Sequence, residues 1–275
     1  MIDAHHHLWD PARRTYPWMA GLDPICRSYT VDDLRAVTKA AGVHATVLVQ
    51  TVSSLEETEE FLATAVAEPV IAWVVGWVDL TALDIAAELA RLSEAGPLVG
   101  IRHQIENERD DDWLRRPDVL RGLGAIRDAG LVYDLLVRPG QLPGARDAAS
   151  ALPDLTFVLD HAAKPPIAAG EWEPWASRVA ELAAQENVYC KLSGLVTEAD
   201  WKAWQVGDLR RYVEHVLEVF GPGRLMFGSD WPVCELAASY EVVLDTAVSL
   251  TGALSDAERL DVFEHTARKV YSLDS

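Results

Sequence analysis

Apolar residues along this chain fall into short continuous runs, many of them β-branched, separated by longer stretches where they recur every three or four positions. Runs of the first kind occupy positions 2–8, 45–50, 71–78, 98–104, 131–137, 155–160, 187–192 and 224–229. Continuous rather than alternating apolar character predicts strands covered on both faces, as in a parallel sheet. The intervening stretches 54–68, 81–95 and 173–186 predict helices, with Leu83, Ala86, Ala87 and Ala90 as one example of helical spacing. Thr30-Val-Asp-Asp33 and Ser255-Asp-Ala-Glu258 read as capping boxes, and Gly42, Gly96 and Gly130 as left-handed residues that end helices. Strand and helix alternate eight times, and a last helix pair is expected over 236–250 and 255–271. The pattern predicts one (β/α)8 TIM barrel spanning 1–275. A doubly wound open sheet would want a glycine-rich phosphate loop after an early strand, and the sequence has none.

Charge and composition narrow the partners. The net charge is −19, from 24 Lys and Arg against 43 Asp and Glu, with no basic stripe to offset it. Such a field repels nucleic acid and anionic lipid, so neither is an expected partner. No apolar run is long enough to span a bilayer, and no basic segment precedes an apolar core at the N-terminus. Three scattered cysteines, Cys26, Cys190 and Cys234, lack Cys-x-x-Cys spacing and read as reduced thiols in a cytoplasm. Oligomeric state has no signature in the sequence.

In a barrel of this kind, chemistry sits at the C-terminal ends of the strands. Strand one ends in Asp3-Ala4-His5-His6-His7-Leu8-Trp9. A purification tag is the bland reading of three histidines, but these lie inside a strand-like frame. Simple alternation puts Asp3, His5 and His7 on one face and His6 on the other. The remaining rims supply Trp77, Arg102 with His103, Asp160-His161 with Lys164, Lys191-Leu-Ser193-Gly194 and Ser229-Asp230-Trp231; Trp18 lies in the long loop 10–29, and an acidic loop follows strand four over 106–118. Asp230 is either a loop-bracing carboxylate or a general base that takes a proton from water. His161 is either a satisfied rim histidine or a ligand or carbonyl polariser. Arg102 and His103 alternate in facing, and Arg102 is favoured for the pocket. Lys164 is a substrate donor or a solvated charge. Lys191 lies within its strand, where it must face the interior or pair with a carboxylate. Trp9, Trp18, Trp77 and Trp231 are candidate apolar walls. No Gly-x-Ser-x-Gly elbow supports a serine nucleophile.

Taken together, His5-x-His7, Asp160-His-x-x-Lys-Pro165, Lys191-Leu-Ser-Gly194 and Gly228-Ser-Asp-Trp-Pro232 resemble the amidohydrolase superfamily in its lactonase branch. Val75–Leu80, Gly100–Gln104 and Tyr133–Val137 are similar to its sugar-lactone members, the L-fuconolactonases and L-rhamnonolactonases. The likeness runs through nearly the whole chain in order. It implies that Asp230 activates water while His5, His7 and His161 polarise a lactone carbonyl. It further implies a small-molecule sugar lactone as partner; Arg102, His103, Lys164, Trp18, Trp77 and Trp231, read from their places at the rim, are expected against it. The chain departs from the binuclear pattern of the superfamily, having no lysine in strand four and no histidine at the end of strand five. One Zn²⁺ on His5, His7 and Asp230 with an open position for water is the metal arrangement expected, and the branch also contains members that need no metal. A metal-dependent decarboxylase on the same barrel and a non-enzymatic sugar-binding barrel are the rival readings.

Overall fold

A computed structural model describes residues 1–271. Its core is one eight-stranded parallel sheet in sequential order, β1 (Ile2–His6), β2 (Ala45–Val49), β3 (Ile71–Gly76), β4 (Leu98–His103), β5 (Val132–Leu135), β6 (Phe157–Leu159), β7 (Val188–Leu192) and β8 (Leu225–Phe227). The ring closes where head meets tail. His6 bridges Trp231 in parallel, the His7 amide donates to the Trp231 carbonyl at 2.7 Å, and the Asp230 amide donates to the His5 carbonyl at 2.8 Å. The expected barrel is the observed one.

Helices α1 (Val31–Ala41), α2 (Leu55–Ala67), α3 (Ile85–Ala95), α4 (Pro117–Asp128), α5 (Leu142–Ala151), α6 (Trp175–Ala183), α7 (Val206–Phe220) and α8 (Tyr240–Leu250) follow the strands in turn. A last helix runs through α9 (Asp256–Leu260), a π-helical turn (Asp261–His265) and α10 (Thr266–Val270). Both expected capping boxes form, at Thr30 with Asp33 and at Ser255 with Glu258. Gly42 (φ 68°) and Gly130 (φ 71°) are left-handed as anticipated. Gly96 is not: its φ of 169° is extended backbone, because the chain leaves α3 straight into β4. Leu83 also falls outside α3 and is 91% exposed.

The barrel floor is filled by Ile2, Ala4, Val47, Val49, Val75, Val132, Val158 and Met226, and Ala267, Val270 and Tyr271 of the last helix pack into the same cluster. Simple alternation fails in β1. Its register against β2 shifts between Asp3 and His6, and the extra residue of a bulge reverses which side chains face inward. Ile2 and Ala4 point into the floor, whereas Asp3 points outward and accepts from Ser229 Oγ at 2.7 Å and Tyr240 Oη at 2.8 Å. Beyond the bulge His5 and His7 face the interior, and His6 meets Thr46 Oγ1 at 2.9 Å. Asp3 therefore does not share their face; it clamps the β1–β8 seam. Among the described residues no helix is long and apolar enough to cross a membrane, and all three cysteines are free.

Candidate active site

Above the apolar floor lies a buried layer of charge. Lys191 Nζ, on β7, reaches Asp134 Oδ2 at 2.5 Å, Asp160 Oδ1 at 3.1 Å and His5 Nδ1 at 3.1 Å. Arg102 Nη1, on β4, pairs with Asp160 Oδ2 at 2.9 Å, and its Nε donates to Gln50 Oε1 at 3.3 Å. A buried ion is tolerated only when paired and hydrogen-bonded, which this lattice provides. Burial alone would raise the Asp160 carboxyl, but Lys191, His5 and Arg102 outweigh it and hold it well below 3.8. Asp134 is pushed up to about 6 by burial, against the pull of Lys191.

Over this layer four side chains converge. The Asp230 Oδ1 lies 3.5 Å from His7 Nε2 and 3.8 Å from the Nε2 of both His5 and His161, and the two Nε2 atoms of His5 and His7 are 3.2 Å apart. All four residues are buried. Among the described residues the Asp230 carboxylate accepts no backbone hydrogen bond, so loop bracing does not account for it. His161, Ala162, Ala163 and Lys164 form a turn with φ between 49° and 60°, and Asp230 has φ 56°; these are the non-glycine residues with positive φ among those described. Each such residue costs about 1–3 kcal/mol and persists only where its surroundings impose it. Here Trp175 Nε1 donates to the Ala162 carbonyl at 2.7 Å and Ser193 Oγ sits 2.8 Å from His161 Nδ1. Two glycines make room. A Cβ on Gly194 (φ 65°) would lie 2.6 Å from His161 Nδ1, and one on Gly228 would lie 2.6 Å from the His5 Cβ.

Protonation follows from the partners. His7 Nδ1 lies 2.7 Å from the Val49 carbonyl, an acceptor, so Nδ1 carries the proton and Nε2 presents a lone pair. Burial lowers His7 to about 3 and His161 to about 4, and burial followed by the Lys191 charge holds His5 well below 6.5. Burial also raises the Asp230 carboxyl, with His161 pulling the other way. The arrangement is a carboxylate facing three neutral imidazoles at the mouth of a parallel barrel. The chain matches the family described as Amidohydrolase over residues 2–273. It belongs to that family. It is 42% identical to an L-fucono-1,5-lactonase of Burkholderia ambifaria over 87% of this chain and 82% of that one. It is 39% identical to an L-fucono-1,5-lactonase of Burkholderia multivorans, covering 99% and 96%. A crystal structure of a Burkholderia multivorans amidohydrolase with bound zinc superposes with a TM-score of 0.91, at 40% identity over 98% of both chains.

In this amidohydrolase the donor set suits one divalent ion. Zinc–nitrogen bonds of about 2.0–2.1 Å place neighbouring tetrahedral ligands about 3.3 Å apart, close to the 3.2–3.8 Å separations seen here. The ligand atoms of His5, His7 and Asp230 lie within 3.8 Å of one another, and those of His5, His161 and Asp230 within 4.8 Å. The anticipated trio is thus joined by His161, whose ring the left-handed turn brings to 4.5 Å from that of His5. The Asp160 Oδ1, 3.3 Å from His5 Nδ1, is a buried oxygen without a well-aligned hydrogen bond. The Lys191 ammonium competes for Nδ1 at 3.1 Å; with the Nδ1 proton directed to Asp160 instead, Nε2 would be free for a metal, the usual carboxylate–histidine support of a ligand.

The site opens into a cleft lined by His7, Trp18, Arg102, His161, Lys164 and Asp230 together with Gln104, Glu106 and Glu198. His103, Trp77 and Trp231 do not line it. Trp77 Nε1 donates to His103 Nδ1 at 3.0 Å, and His103 stacks on Trp113, so both are held in the outer wall. Trp231 is buried, donates to Glu235 and packs edge-on against Tyr29, and Trp9 is buried against Tyr29 and Trp18. These tryptophans brace the N-terminal loop, leaving Trp18 as the aromatic wall. The segment 106–118 is no open loop, since Trp113 and Leu114 are buried in it. Asp160, Gln50, Glu106 and Glu198 escaped assignment from the sequence. Asp160 had a signal in its parity with Val158, an inward residue; Gln50 closes the run 45–50, and Glu106 and Glu198 lie on turns without periodicity.

Proposed function

We propose that this chain hydrolyses a neutral sugar-acid lactone, of the L-fucono or L-rhamnono type, to the aldonic acid. The observation that carries the reading is the Asp230 carboxylate set 3.5–3.8 Å from three imidazole nitrogens beneath the cleft; the named activity of the two Burkholderia relatives supports the substrate class. Water held by Asp230 attacks the carbonyl carbon and gives its proton to the carboxylate. With Ser193 donating to Nδ1, His161 presents Nε2–H to the oxyanion. His7, neutral and with its one proton on Val49, offers the oxyanion no hydrogen bond; it accepts from the attacking water or from His5. Collapse of the tetrahedral intermediate breaks the bond to the ring oxygen, which takes the proton back from Asp230. The balance is lactone plus water to hydroxy acid. Zinc or another divalent ion bound by His5, His161 and Asp230, with His7 alongside, would polarise the carbonyl and acidify water.

A pH-indicator assay over a panel of aldonolactones, run with and without chelator, tests the reading. Acid release well above the spontaneous rate is expected for at least one neutral lactone. No release above background across the panel would reject the substrate class.

A further inference from the structure

The wall of the cleft carries an ion triad that the hydrolytic steps leave unused. Lys164 Nζ sits 2.8 Å from Glu106 Oε2 and 3.8 Å from Glu198 Oε1, and all three residues line the cleft above Asp230. They come from three separate loops. Glu106 lies on the short turn Ile105–Asn107 after β4, Lys164 ends the left-handed turn after β6, and Glu198 ends the turn Val196–Glu198 after β7. Each side chain remains partly open, at 14%, 27% and 27%. Among the described residues the Glu198 carboxylate takes no hydrogen bond, so its acceptor capacity is unspent on the cleft side. Arg102 is matched by Asp160 beneath it. That leaves one ammonium facing the three carboxylates of Glu106, Glu198 and Asp230, an excess of negative charge.

Such a wall suits hydroxyl groups and disfavours carboxylates. An ionised carboxylate accepts short, charge-assisted hydrogen bonds from O–H donors. A ligand carboxylate in the same place would meet like charge, and like-charge contact is an established means of rejecting a wrong partner. We propose that Glu106 and Glu198, bridged by Lys164, are the specificity-determining residues of this site: they accept the hydroxyls of a neutral polyol lactone and exclude lactones that carry a further carboxylate. This rests on the lactone reading above.

The test compares kcat/KM for a neutral aldonolactone and for an aldaric-acid lactone of the same ring size, with parent, Glu106→Gln, Glu198→Gln and the double variant. Glutamine keeps the shape and removes the charge, and thermal midpoints report folding. Each single variant should raise KM for the neutral lactone roughly tenfold, as expected for loss of a charged hydrogen bond. In the double variant the preference for neutral over anionic lactone should fall at least about tenfold. Lys164→Met provides an opposite-signed check, because it leaves both carboxylates unneutralised and should increase the preference. Unchanged KM and preference in the glutamine variants, or a fall in preference for Lys164→Met, overturns the inference while the parent's lactonase activity stands. A parent without activity on every lactone overturns the functional reading and, with it, this one.

Discussion

The two ends of the barrel are built on opposite terms. The floor is a set of aliphatic side chains in ordinary strand geometry, sealed by Ala267, Val270 and Tyr271. The mouth gathers buried carboxylates and imidazoles, and every non-glycine residue with positive φ among those described. Stability is drawn from one end and spent at the other, with the Asp134–Lys191–Asp160–Arg102 layer insulating them. Parallel barrels generally divide their labour this way. The difference here is sharp enough to be broken by single substitutions.

The largest effect is expected at the mouth. Asp230→Asn should lower kcat by roughly 10²–10⁴-fold, the usual contribution of a positioned proton acceptor, while denaturant unfolding shows stability unchanged or increased, since a buried carboxylate has been neutralised. A marked loss of stability with it would mean that the carboxylate is structural. Next comes Gly194→Ala. Its added methyl meets the His161 ring, and the left-handed backbone disfavours alanine. Displacing the ring by a fraction of an ångström to an ångström should cost up to about 10²-fold in kcat/KM. The floor should answer differently: Met226→Ala is expected to cost about 2–5 kcal/mol of stability with kcat within about threefold of the parent, read by urea titration beside the kinetic assay. If the two substitutions exchanged their effects, the division between the ends would be wrong.

How much of this was legible in the sequence follows the same division. The floor and the strand order were, because aliphatic runs state burial directly and the helix caps at Thr30 and Ser255 are local chemistry. The convergence of His5, His7, His161 and Asp230 was legible too, through the barrel rule that strand ends meet. What failed depended on backbone detail. The bulge in β1 reverses Asp3 and leaves no compositional mark. Nothing in His161-Ala-Ala-Lys164 announces four left-handed residues, since alanine ordinarily avoids that region. Trp77 and Trp231 do not line the cleft: His103, 26 residues on, and Glu235, on the turn that follows Trp231, hold their indole nitrogens. Glu106 and Glu198 lie on irregular turns, where facing cannot be read from spacing.

The smallest effect is a shift in the pH profile of metal-free protein. In the proposed mechanism Asp230 works as a carboxylate, and burial raises its pKa, so kcat/KM should climb with pH through a limb above the ordinary 3.8. The imidazoles, lowered to about 3 for His7 and about 4 for His161, are already neutral at higher pH. No histidine inflection near 6.5 is expected, and finding one that persists in Asp134→Asn, which removes the carboxyl pushed up to about 6, would assign a protonated histidine to the reaction.

The closure between β1 and β8 has a consequence for how activity first arises. Asp3 and its partner Ser229 are 226 residues apart, and the same seam brings Asp230 to His5 and His7. During synthesis the imidazoles therefore wait, without their carboxylate, until nearly every other strand has left the ribosome. On the proposed mechanism, catalytic competence and completion of the ring become one event, so a chain interrupted before β8 would carry no half-active intermediate that could act out of turn.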